Sequence, residues 1–416
     1  MSGIGYYTRL AAALFVAAAM GAAIANPDVG RKAADRRALA KLEKLNAEER
    51  ACAPGEAPLT AGFADLGDIK SATPLGALAA PGEAPPAPYL RLTTQRRGGA
   101  PVTALAPGKG EVVALERRTE IVGGRKRALW TVRFKPCDRI SVFYDRLDAV
   151  DPALLRRAGG LQAFEEVAEG RLAVAVRLKV DAGAPVGFAR AFDVGLADAA
   201  APVAHHADPS HARTTPPAPS HEISAALERA LAFDETRSRC AFDYLAADLM
   251  APWMGKLGDG AGRRLKPGEN ACVADVLGPP VAARGVWFTD SSHNARARKV
   301  SAVALYEDLV DPERLVFSLH GRMPSLSAPG GVVSAAAGDG RLNAPFRSIK
   351  PGETYCYQDL RVGLEGPALA GVLVLRLEAA ADGPGLLRME ARADVRECFD
   401  MPEPWGFTGG ETSFYP

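Results

Sequence analysis

Imidazole side chains suit both proton transfer near neutral pH and zinc ligation. The chain of 416 residues holds six of them: His205, His206, His211, His221, His293 and His320. Four lie between positions 205 and 221, in a stretch rich in Ala and Pro, and none precedes His205. Metal binding by such a tract is conceivable on composition. No cysteine and no acidic partner pattern stands at ligand spacing, so a solvated, proline-interrupted loop is the simpler reading. His221-Glu222 opens an H-E-x-x-H zinc motif, yet Ala225 holds the place of the second histidine. The serine elbow G-x-S-x-G, the P-loop and the dinucleotide-binding glycine fingerprint are absent. Carboxylates are plentiful, and no pair is singled out by spacing as a glycosidase acid and base.

The six cysteines are Cys52, Cys137, Cys240, Cys272, Cys356 and Cys398. No C-x-x-C occurs, which argues against a thioredoxin-like redox site or a zinc ribbon. An even count in an exported chain suggests disulfides. Nearest-neighbour order would pair Cys52–Cys137, Cys240–Cys272 and Cys356–Cys398, with buried free thiols as the alternative. Export is itself expected from residues 1–25: Arg9, the apolar run Leu10 to Ile24, and a small-x-small site at Ala23-Ile24-Ala25 before Asn26-Pro27. An uncleaved anchor helix is the alternative reading of the same run. No second apolar stretch approaches the length of a transmembrane span.

Formal charge is +1, and Arg9 is the only charged residue in the first 25, so the remainder balances to zero. That excludes an electrostatic case for a nucleic-acid partner, which needs a basic excess. At 48% hydrophobic and 24% charged residues the composition is globular rather than disordered.

The elements that must position these residues read as mainly β, α+β overall. Two antiparallel β-rich domains are joined by a Pro/His-rich linker and a helical segment. Residues 26–58 form a helical N-terminal segment, with Leu39, Leu42 and Leu45 three apart. The first β domain covers 59–200, with strands at Glu111 to Glu116, Arg127 to Lys135 and Ile140 to Tyr144. Leu172 to Val180 alternates apolar and small or charged residues, the pattern of a half-solvated strand. Pro152 to Ala168 is expected as a helix between strands. The linker covers 201–221 and the helical segment 222–258. The second β-rich domain covers 259–416, with strands near Val300–Tyr306, Leu315–Leu319, Gly371–Leu377 and Leu386–Ala393.

Four stretches carry a likeness to a known family. Leu105-Ala106-Pro107-Gly108-Lys109-Gly110-Glu111-Val112 resembles the turn that opens the core of lysostaphin/LytM-type zinc endopeptidases. Tyr144-Asp145-Arg146-Leu147 is similar to that family's Tyr-x-His-Leu strand end. Val180-Asp181-Ala182-Gly183-Ala184-Pro185-Val186-Gly187 resembles its V-x-x-G-x-x-[IV]-G turn. Phe192-Asp193-Val194-Gly195-Leu196 falls where the family has Leu-His-Phe-Glu-Val. The likeness covers residues 75–200 and implies an antiparallel β core. The family's activity is zinc hydrolysis of peptide cross-links in the bacterial wall.

The zinc chemistry does not carry over. Arg146 stands at one catalytic histidine position, Ala191 and Asp193 replace the His-x-His pair, and no upstream histidine exists. A zinc hydrolase needs about three protein ligands and an open position for water. The expectation is therefore a degenerate domain with no catalytic residue, no metal and no cofactor. A remaining groove of Tyr144, Asp145, Arg146 and Asp193 would contact peptidoglycan or another envelope component. Two functions stay open. One is a non-catalytic exported binding or scaffold protein. The other is an envelope hydrolase, with an atypical zinc site or a carboxylate site in the C-terminal domain.

Overall fold

Alternation of apolar and polar residues builds the first unit from strands. The structure is a computed structural model. It describes residues 50–416 apart from 54, 56, 78–86, 123–124, 203–226, 228–230, 232, 235–236, 266–271, 275–280, 290–301, 321–331, 364–365 and 380–384. The expected leader, the helix before residue 50 and the histidine-rich linker lie outside the described residues. Residues 50–53 are not helical.

The strands of this unit are β1 (Ile69–Thr73), β2 (Leu90–Thr94), β3 (Val102–Leu105), β4 (Gly110–Val122), β5 (Arg125–Lys135) and β6 (Ile140–Leu147). They continue with β7 (Ala149–Val150), β8 (Glu165–Ala168), β9 (Arg171–Val180), β10 (Pro185–Ala189), β11 (Ala191–Asp198) and β12 (Ser238–Arg239). One antiparallel sheet runs β1-β2-β11-β6-β5-β4-β9-β8, with β12 also pairing β11, and β3-β10-β7 form a second, short sheet. Val102, Ala104, Val150 and Val186 of the short sheet share a core with Val132, Tyr144 and Phe192 of the large one.

Three expectations are corrected here. Residues 152–168 do not form one helix. Helix α1 (Pro152–Arg157) is capped by Asp151, which accepts bonds from the amides of Ala153 and Leu154. It stops where Gly159 and Gly160 take φ values of 97° and 73°, open to glycine and closed to helix propagation. The polar face of β9 is not simply solvated, because Ala173 is buried with Ala114, Leu227 and Leu231. Among the described residues the segment 222–258 is not one continuous helix: Leu227 and Leu231 are helical, and β12 and a 3-10 turn at Ala241–Tyr244 come before α2 (Ala247–Met254).

That last segment docks on the first unit rather than spacing two domains. Single bridges join Leu59 to Leu245, Ala72 to Leu257 and Leu75 to Val273. Trp253 is buried edge-on to Phe63, ring centroids 5.5 Å apart.

The second unit is a two-sheet sandwich. One sheet is β13 (Gly285–Phe288), β14 (Ala302–Glu307), β15 (Arg314–His320), β16 (Val332–Ala336) and β18 (Arg361–Val362), in that order. The other is β17 (Thr354–Tyr357), β19 (Val372–Leu377), β20 (Leu387–Arg392) and β21 (Thr412–Phe414). Trp287, Phe317, Phe346, Tyr357, Met389 and Phe414 fill the space between them. On β14 the alternation serves two cores: Val303 and Leu305 face the sandwich, while Ala304 and Tyr306 join the core of the first unit.

The cysteines pair in nearest-neighbour order: Cys52–Cys137, Cys240–Cys272 and Cys356–Cys398, with Cα separations of 5.0, 5.8 and 6.0 Å. Three disulfides fit an exported chain of this β-rich kind. No helix among the described residues is long and apolar enough to cross a membrane.

Gly195 on β11 lies beneath the Phe143 ring, and a Cβ there would sit 2.0 Å from Phe143 Cε1. Gly195→Ala is expected to cost about 1–3 kcal/mol by overpacking, read as a lower urea midpoint at unchanged slope.

Candidate functional site

Strand register brings Arg91 of β2, Asp193 of β11 and Asp145 of β6 side by side in one row of the large sheet. Alternation turns this row away from the core that receives Phe192, Val194 and Tyr144. The Asp193 side chain is 1% exposed, and its two oxygens accept bonds from Arg91 Nε at 2.7 Å and Nη2 at 3.0 Å. This is the planar two-point match that a guanidinium makes with a carboxylate.

Asp145 is held in the same way from the opposite side of the row. A β-bulge sets Asp145 and Arg146 against Thr131 alone, and Arg146 takes φ 61° there. Arg118 of β4 donates to both Asp145 oxygens, the longer bond being 2.8 Å. The Thr131 hydroxyl donates to Asp145 Oδ1 at 2.5 Å and accepts from Arg118 Nη1 at 2.9 Å. Arg118 Nε also reaches Glu120 at 2.6 Å, and Glu120 Oε2 lies 3.6 Å from Arg146 Nη1. Burial pushes the Asp145 carboxyl up, but the bonds from Arg118 and Thr131 outweigh it and hold the group below the usual carboxylate range.

Tyr144 takes no part in this row. It is fully buried on the other face, stacked on Phe192, and its hydroxyl donates to the Leu105 carbonyl at 2.6 Å. Burial raises the phenol well above its ordinary value, so it stays protonated. The expected groove of Tyr144, Asp145, Arg146 and Asp193 is therefore corrected: adjacent strand residues point to opposite faces, and both carboxylates are already chelated.

Further along the same face, Phe143 meets Tyr89 and Phe233, with centroids 6.1 and 4.5 Å away. The Arg133 guanidinium lies 5.0 Å from the Phe143 ring and 5.4 Å from Phe233. Arg171–Glu116 and Arg177–Glu111 extend the pairing, at 2.8 and 2.6 Å. Sequence reasoning missed Arg91, Arg118, Thr131 and Glu120. The one available signal was a strand that stays charged from Arg117 to Glu120 while remaining in the ladder.

Potential metal ligands converge among the described residues at Cys52, Cys137 and Asp138. The two sulfurs are bonded to each other, so neither is a thiolate able to ligate. Of the six histidines, His320 alone falls on a described element, β15. Chemically, the row is a set of filled ion pairs: each carboxylate is engaged, and the Thr131 hydroxyl is locked between Arg118 and Asp145. Comparison with family models, with curated proteins and with solved structures finds no match to this chain.

Arg91→Ala removes the two-point cationic partner of a buried carboxylate and is expected to cost about 3–5 kcal/mol in urea unfolding. The paired replacement Arg91→Met with Asp193→Leu should recover most of that loss. For Asp145 the folded carboxyl lies below the unfolded value of about 3.9. Its stabilisation is present above that value and is lost as pH falls through the lower folded one. The stability gap between wild type and Asp145→Asn should thus hold down to about pH 5 and shrink below it as the pH falls through the folded value.

Proposed function

We propose that this chain is a non-catalytic exported binding or scaffold protein, with a pseudo-peptidase β unit that faces the cell wall. One observation carries the reading. Asp193, at a position that matches a zinc-ligand histidine in the LytM-type resemblance, is buried and chelated at both oxygens by Arg91. A zinc site needs several ligands around an open position; here a guanidinium fills the space a metal would take.

Other features support it. The first quoted turn runs from the end of β3 into β4, and the second glycine turn joins β9 to β10. Arg146, at a catalytic histidine position of the resemblance, is engaged toward Glu120 and as a guanidinium cannot act as a base. Three disulfides suit a protein that works outside the reducing cytosol. Peptidoglycan, peptide or glycan, is the partner class that the resemblance implies.

The test pairs two measurements on the purified chain. Co-sedimentation with purified peptidoglycan should retain the protein, and dialysis against zinc should leave no stoichiometric metal. Zinc held at one equivalent and lost on replacing His205 and His206 by Ala would overturn the non-catalytic reading. Full recovery in the peptidoglycan supernatant would overturn the partner class.

A further inference from the structure

A cleft of about 500 Å³ opens in the second unit where β18 parts from β16. The ladder between these strands has only two pairs, Val333↔Val362 and Ser334↔Arg361. Continued, it would set Leu360 opposite Ala335 and Asp359 opposite Ala336. Instead Asp359 takes φ 56°, a left-handed conformation that Asp tolerates better than most residues, and the chain turns away. The gap has a floor of Ser334, Ala335 and Ala336, and its volume is in the range of small-molecule sites.

Charges of both signs line its walls. On one side Arg314 is paired internally, its Nη2 3.3 Å from Asp311 Oδ2. Glu313 is exposed beside it. On the other side stand Asp359 and Arg361, also exposed. Arg361 Nη1 donates to the Gly366 carbonyl at 3.3 Å, which leaves most of its five N–H groups for other partners. Glu313, Asp359 and Arg361 have no ion-pair partner among the described residues. The Ser334 hydroxyl is already donated to the Gly363 carbonyl at 2.8 Å, so the floor is small and adds little polarity.

Beyond the Asp311–Arg314 pair, the cleft offers one guanidinium and two carboxylates, set around a floor without bulky side chains. Its complement is a compact molecule with one carboxylate and two ammonium groups. A guanidinium takes a carboxylate at two points, and an ammonium is a compact point charge that a single carboxylate suits. We infer that this cleft binds a free diamino acid, its carboxylate on Arg361 and its ammonium groups on Asp359 and Glu313. The inference does not rest on the envelope reading, since the cleft belongs to the second unit and uses none of the ion-pair row.

Calorimetric titration of the full chain with L-lysine tests it, with norleucine lacking the second ammonium and cadaverine lacking the carboxylate. Lysine should bind about tenfold tighter than either, the worth of one charge-assisted contact. Asp359→Asn keeps a side chain that tolerates positive φ and removes only the charge. It and Arg361→Gln should each weaken lysine about tenfold without moving the melting temperature. Arg361→Gln alone decides the matter if the Asn variant melts early. Absence of lysine binding up to about 10 mM would overturn the inference. Equal affinity for norleucine or cadaverine, or unchanged lysine affinity in Arg361→Gln, would do the same. Peptidoglycan co-sedimentation is read separately, so failure of either proposal leaves the other standing.

Discussion

A carboxylate taken out of water has to be met by a cation, and the Asp193–Arg91 pair shows how this requirement organises the first unit. Asp193 is inaccessible, and β2 offsets the cost of that burial by delivering a guanidinium in register with it. One step across the row the problem recurs, and β4 and β5 answer it with Arg118 and Thr131 around Asp145. These links tie the row from β2 through β11, β6 and β5 to β4. β4 keeps its place in the ladder well beyond its apolar part, because its charged residues have fixed partners across the sheet.

The same geometry sets the functional reading. Resemblance to a zinc peptidase directs attention to the sheet positions around Asp145 and Asp193. At those positions each carboxylate is spent on structure, and the neighbouring tyrosine belongs to the core. Chemistry that needs a free base or an open coordination position has no room in such a row.

The two units are also less separate than a linker between them would suggest. The segment holding β12 and α2 is stapled by Cys240–Cys272 and packs Trp253 against Phe63. Val286, Ala304, Tyr306 and Val316 carry the five-stranded sheet into the core of the first unit. Strand β14 of that sheet is therefore buried on both faces and reads as a nearly continuous apolar run from Ala302 to Tyr306.

Local rules made much of this legible from the amino acids alone. Alternation located β5, β6 and β9 to within a few residues, because side-chain period is a property of the strand itself, and β14, β15, β19 and β20 were placed as closely from the second β-rich block. Nearest-neighbour order matched the cysteine pairs, since each pair closes a contact within one packed region. Other features were not local. Arg91 and Asp193 are 102 residues apart, and Arg118 and Asp145 are 27 apart, so only strand order could bring them together. Tyr144 and Asp145 are neighbours in sequence yet face opposite sides of the sheet, so which of them meets solvent, core or cation was for the tertiary structure to decide.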